Sequence, residues 1–268
     1  MGTNGKVLGG VMTGVILILL TLAMLPAAWV LKPGWNFIGL ILLMILFMIT
    51  LGVRISGRPA GILINERNLM SLSRFQMILW TVIILSAYLT IALERVRAKP
   101  SILDALAIAL DQRLWALMGI STASLIGGPL VLSTKKTMEP DPKAADQTET
   151  ALKSKGESET ADKIRENSQG VLYANSEIKD AHFSDMFEGD EVGNTAYVDV
   201  AKVQMFFFTV VAALSYGMTL FYWIVNKPAA ELNAFPVLSG GLIAILGISH
   251  AGFLVNKTTT HTPLAGNP

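Results

Sequence analysis

The chain has 268 residues, of which 52% are hydrophobic and 15% charged, and its formal net charge is +1. That balance belongs to integral membrane proteins and gives no electrostatic basis for a nucleic-acid partner. Cysteine is absent, which excludes disulfide scaffolds and thiolate-ligated metal centres and leaves the redox compartment open.

Six apolar stretches are long enough to cross about 30 Å of hydrocarbon as helices. They run roughly over 11–31, 36–53, 75–93, 114–132, 203–225 and 237–255. Helix is the reading for all six, because isolated strands would leave backbone groups unpaired in lipid. The first run follows Lys6 and ends at Met24-Leu25-Pro26-Ala27-Ala28. Its length, and Leu25 and Pro26 where small residues are needed, fit a span better than a cleaved leader. Trp29, Trp35, Trp115, Tyr222 and Trp223 stand near span ends, as interfacial anchors do. The expected class is all-α: a polytopic membrane helical bundle of six transmembrane helices, with the lipid bilayer as its first partner.

Spans three to six contain an internal repeat at an offset of 128 residues. Arg74-Phe75-Gln76-Met77 falls on Lys202-Val203-Gln204-Met205, Thr81 on Thr209, Tyr88 on Tyr216, and Lys99-Pro100 on Lys227-Pro228. Gly119-Ile120-Ser121 falls on Gly247-Ile248-Ser249. Without a gap, 14 of 50 positions are identical between 74–123 and 202–251. An even number of spans separates the copies, so they run in the same direction across the membrane as a parallel repeat about a pseudo-two-fold axis.

The expected organisation is an N-terminal hairpin over 1–57, a first repeat hairpin over 58–132, an insertion over 133–201, a second repeat hairpin over 202–256 and a flexible tail over 257–268. With six spans, 15 of the 21 Lys and Arg residues fall on the side that holds both termini. The positive-inside rule makes that side cytoplasmic. Residues 135–170 are rich in Lys, Glu, Asp, Ser, Thr and Ala, so they read as a flexible linker with at most transient helix around 143–166. Apolar bulk returns over 171–201. Phe183, Met186, Phe187 and Tyr197 are the candidate partner contacts there. Asp180, Asp185, Glu188, Asp190 and Glu191 line the same stretch, but their spacing does not follow the EF-hand pattern, and no metal is expected. On the opposite side, Ser101-x-x-Asp104 reads as a helix start.

In lipid, helices associate by close packing and hydrogen bonding. Ala116, Gly119, Ala123 and Gly127 make one face of small residues on span four. Gly240, Ala244, Gly247 and Ala251 make another on span six. Both are expected to pack helix on helix. Gln76, Thr81, Ser121, Gln204, Thr209, Ser249 and His250 are the candidate polar residues of the membrane interior, with the two glutamines forming a symmetric pair. The central parts of the spans hold no Asp, Glu, Lys or Arg, which argues against ion-coupled transport through buried carboxylates. Gly-x-Ser with a histidine has some likeness to rhomboid intramembrane proteases, but Thr122 stands where they have glycine and their large first loop is missing. Gly127-Gly128-Pro129 reads as a helix end or kink. No nucleotide, cofactor or metal motif is found.

Four strings also carry a family resemblance. They are Ser71-Leu-Ser-Arg-Phe-Gln-Met with Leu79-Trp80-Thr81, Phe187-Glu-Gly-Asp-Glu-Val-Gly-Asn194, Lys202-Val-Gln-Met-Phe-Phe-Phe-Thr209, and Leu246-Gly-Ile-Ser-His-Ala-Gly252. Together they resemble a family of bacterial multi-pass membrane proteins without an assigned activity. The resemblance implies a bacterial inner-membrane location and brings no catalytic or ligand residues. The function expected from the residues is a non-catalytic membrane anchor or scaffold that recruits a cytoplasmic protein through the 133–202 segment. The alternative is a homo-oligomeric channel lined by the repeated Gln, Thr and Ser residues, and an intramembrane serine protease comes third.

Overall fold

The computed structural model describes residues 2–98 and 101–266, with side chains from residue 9 onward. The side chain of Lys6 and the repeat match at Lys99-Pro100 lie outside the described residues. Nine α-helices and a few single 3-10 turns form among the described residues, with no strand. Six helices are long and apolar enough to cross a membrane. They are α1 (Gly2–Val30, apolar from Gly9), α2 (Trp35–Ser56), α3 (Leu72–Ala98), α5 (Gln112–Ser133), α8 (Val200–Asn226) and α9 (Gly240–Thr258). The short helices are α4 (Ile102–Leu106), α6 (Pro142–Ser154) and α7 (Ser158–Lys163). The protein is a polytopic α-helical membrane protein.

The helix boundaries follow the repeat. The starts of α3 and α8, at 72 and 200, and their ends, at 98 and 226, are each 128 residues apart. So are the starts of α5 and α9, at 112 and 240. Pro129 lies inside α5, which continues to Ser133, so Gly127-Gly128-Pro129 does not end the helix. Ser101 caps α4, its hydroxyl accepting the amide of Asp104.

The chain divides into two compact units, to each of which α3, α5, α8 and α9 contribute a part. The first comprises residues up to 62 with 78–116 and 211–243. The α1–α2 hairpin turns at Gly34, whose φ of +88° suits glycine and whose missing Cβ leaves room for Phe221 and Val225. Asn36, fully buried, donates to Glu94 at 2.7 Å, and its own carbonyl accepts the amides of Gly34 and Phe37. Arg97 pairs with Glu94 at 3.3 Å and lies 4.6 Å from the ring centre of Trp29. Arg95 donates to the carbonyls of Ala105 and Asp104. These bonds tie the added hairpin and the α3–α5 connection to the polar end of α3.

The second unit comprises 63–77, 117–210 and 244–268. The 135–170 segment is not a flexible linker. Asp141 caps α6 at the amide of Lys143, with Pro142 at the first helical position. Ala144, Ala145, Thr148 and Leu152 bury one face of that helix. Ala145 and Leu152 join Ala161, Ile164, Tyr173, Val192, Ala196 and Leu69 in one apolar core. The composition misled because the buried residues are few and small, yet they recur every three or four positions on a helix. Gly170 adopts a φ of +63° where the chain passes against the carbonyls of Lys135 and Lys136.

The tail is ordered as well. Residues 259–265 run along this folded region, with Asp141 donating to Pro263 and Ala265 to Glu139. The expectation of a flexible tail fails because Glu191 accepts the amides of His261 and Thr262 at 2.8 and 2.7 Å. The folded parts of 63–71, 133–199 and 259–266 are called the cap below.

Candidate functional site

The chemistry of the cap concentrates on two adjacent carboxylates. Asp190 accepts Arg67 at 2.5 Å on one oxygen and Lys257 on the other, with Lys202 at 3.3 Å. The three cations arrive on a loop, on the first turn of α8 and on the last turn of α9. Charged residues are favoured at those helix ends, where the side chain leaves the hydrocarbon. Arg67 also donates to the carbonyls of Tyr173 and Asp190, and Lys202 to that of Glu188. Burial alone would raise the Asp190 carboxyl. Lys202, Lys257 and Arg67 outweigh it and hold the group well below the usual carboxylate range. Next to it, Glu191 pairs with buried Lys135 at 2.5 Å, and Lys135 donates to Thr259.

Asp185 and Glu188 behave oppositely. Burial pushes both carboxyls up, although Asp185 accepts the amides of Met70 and His182 at 2.9 Å each. These acidic residues therefore serve as hydrogen-bond and charge partners within the cap. Arg67, Asp190, Lys202, Lys257, Lys135 and Glu191 were not recognised as one site in the sequence. The signal was a conflict: four cations and two anions in a region packed with apolar residues must find one another if they are buried.

The candidate partner contacts separate. Phe183 and Tyr197 are 55% and 59% exposed, whereas Met186 is core at 1%. Met186 is removed from the contact surface because its side chain is buried in the cap. Phe187 is half-buried against Phe183 and Phe206. Val198 and Val200 continue the exposed apolar edge after Tyr197.

The polar interior is asymmetric. Gln76 is fully buried and donates to the Thr209 hydroxyl at 2.5 Å. Gln204, its partner in the repeat, is exposed, and Thr81 is half-buried. The expected symmetric glutamine pair does not form, because Gln204 points away from α3 at this level. His250 Nδ1 and the Ser124 hydroxyl are 2.6 Å apart, an interaction between α9 and α5. Ser124, not Ser121, is the histidine's neighbour. Ser121 and Ser249 are also buried, and neither hydroxyl has a hydrogen-bond partner.

The small-residue faces pack only at their margins. A Cβ on Gly127 would meet Leu254 at 3.4 Å, and one on Gly247 would meet Ile120 at 3.8 Å. Ala116, Gly119, Ala123, Gly240, Ala244 and Ala251 are exposed. Within the second unit α5 and α9 meet through Ser124 and His250 and, from the stripes, through Gly127 against Leu254 and Gly247 against Ile120, so only one glycine of each stripe takes part in the packing expected of the whole face.

Comparison with family models, with curated proteins and with solved structures finds no match. The fold and the site thus define the class, a polytopic helical membrane protein with an ion-paired cap.

Proposed function

We propose that the protein is a non-catalytic membrane anchor that holds a folded cap at the cytoplasmic face and presents it to a protein partner. The observation that supports this is the attachment of the cap: Asp190 and Glu191 bind cations from α8, α9 and the end of α5. A docking module held this way keeps a fixed surface toward the cytoplasm. The contact region is the exposed edge of Phe183, Tyr197, Val198 and Val200. The excess of Lys and Arg on the side of the cap supports a cytoplasmic orientation, in a bacterial inner membrane. The shared helix boundaries support a duplicated parallel hairpin. Gln76 and Thr209 are spent on each other rather than facing a pore, which ranks a homo-oligomeric channel lower.

The test uses full-length protein in detergent. Deleting 171–200 would remove Asp190 and unfold the cap, so point substitutions are required. Phe183→Ser with Tyr197→Ser should abolish co-purification of a partner that wild type retains, with thermal stability unchanged. Equal recovery of the partner by the double variant sinks the proposal.

An intramembrane serine hydrolase has one observation in its favour, the Ser124–His250 distance of 2.6 Å. Against it, the two residues are 0% and 3% exposed. The anchor reading expects no labelling of Ser124 by a fluorophosphonate probe. Labelling that disappears in Ser124→Ala would reverse the ranking.

A further inference from the structure

A cleft of about 440 Å³ opens in the second unit beside the Asp190 cluster. That size lies in the range of about 300–1,000 Å³ typical of small-molecule sites. Its lining combines Arg67, Arg74, Lys136, Lys202 and Lys257 with Leu125, Leu132 and Phe253 of α5 and α9, and Lys257 lies 4.7 Å from the ring centre of Phe253.

The carboxylates facing the cleft are Glu66, Asp185 and Asp190. Glu66 is engaged by Arg74 at 2.5 Å. Asp185 is held by two backbone amides. Asp190 alone answers Arg67, Lys202 and Lys257, which are only 7%, 5% and 9% exposed. Five cations against three carboxylates make the lining net positive, and Arg67, Lys202 and Lys257 share the single Asp190 carboxylate, so an anion entering the cleft meets an attractive field. Apolar side chains of membrane-spanning helices share that lining, so the cleft matches a molecule with a charged head and a hydrocarbon body.

We propose that this cleft binds a phosphate-bearing anion, with Lys136, Lys202 and Lys257 around the phosphate and Leu125, Leu132 and Phe253 along an acyl chain. An anionic phospholipid satisfies both the cations and the apolar side chains of the lining. A free phosphate satisfies only the cations.

The experiment uses the full chain in neutral detergent, with binding read by native mass spectrometry and by thermal midpoint. The probes are phosphatidylglycerol, phosphatidylcholine and inorganic phosphate. Lys257→Met endangers folding through Asp190, so the test variants are Lys136→Gln and Ser133→Asp, both at exposed positions on the cleft rim. Phosphatidylglycerol is expected to bind in preference to phosphatidylcholine and to raise the thermal midpoint. Each variant should weaken it by about tenfold, the worth of one charge-assisted contact. Binding of inorganic phosphate that competes with the lipid supports the site and assigns the free anion as a source. Equal binding of the two lipids overturns the proposal. So does phosphatidylglycerol binding that both variants leave unchanged, and so does failure of phosphatidylglycerol and phosphate alike to bind.

Discussion

Arg67 and Asp190 lie 123 residues apart in the chain and form an ion pair of 2.5 Å with side chains only 8% and 12% exposed. The pair joins the 63–71 part of the cap to the 133–199 part, and Lys202 and Lys257 attach α8 and α9 to the same carboxylate. Removing that carboxylate leaves three buried cations without it. Asp190→Asn should therefore destabilise the cap by about 3–5 kcal/mol. Limited proteolysis across 142–166 measures it: wild type resists and the variant is cut. Equal resistance would show that the cluster does not hold the cap.

Acidity should act on the cap in two opposed ways. The folded Asp190 carboxyl titrates well below its ordinary value of 3.8, so its stabilisation is present above that value and lost as pH falls through the lower folded one. Asp185 and Glu188 are raised by burial, so their contribution is present below their ordinary values, 3.8 and 4.5, and is lost as pH rises through the folded ones. Cap stability should rise as pH is lowered from neutrality through the raised folded values of Asp185 and Glu188, and fall in the acid range below 3.8. Thermal melts across pH check the shape. Asp185→Asn with Glu188→Gln should flatten the upper limb while leaving the acid limb in place.

The core under α6 and α7 offers a direct test of order in the 135–170 segment. Ile164 is 0% exposed and Leu152 4%. Ile164→Ala or Leu152→Ala should each cost about 2–5 kcal/mol of cap stability. Glu159→Ala, on an exposed surface, should change it by less than about 0.5 kcal/mol. Hydrogen exchange of the α6 amides reads the difference. Fast exchange in wild type would restore the flexible linker that the composition suggests.

Glutamines 76 and 204 share a place in the repeat and differ in the fold. Gln76→Leu removes a buried bond to Thr209 between helices, at about 0.6–2 kcal/mol. Gln204→Leu should be nearly silent, because Gln204 is exposed. Detergent melts of both variants compare them. Equal losses would mean that the two copies use their amides alike.

The six spans, their helical state and the 128-residue offset were readable from the residues themselves. Lipid demands long apolar runs with every backbone group paired within the segment, and that demand is written locally. The Asp141-Pro142 cap and the spacing of Ala144, Ala145, Thr148 and Leu152 were equally local signals of α6, hidden by a polar composition. The rest was decided in three dimensions. Which of two equivalent glutamines turns inward, which serine meets His250, and which cations surround Asp190 depend on helix rotation and on chain segments up to 133 residues apart. A sequence states that a charge exists. Only packing decides whether it is buried, and burial is what forces it to find a partner.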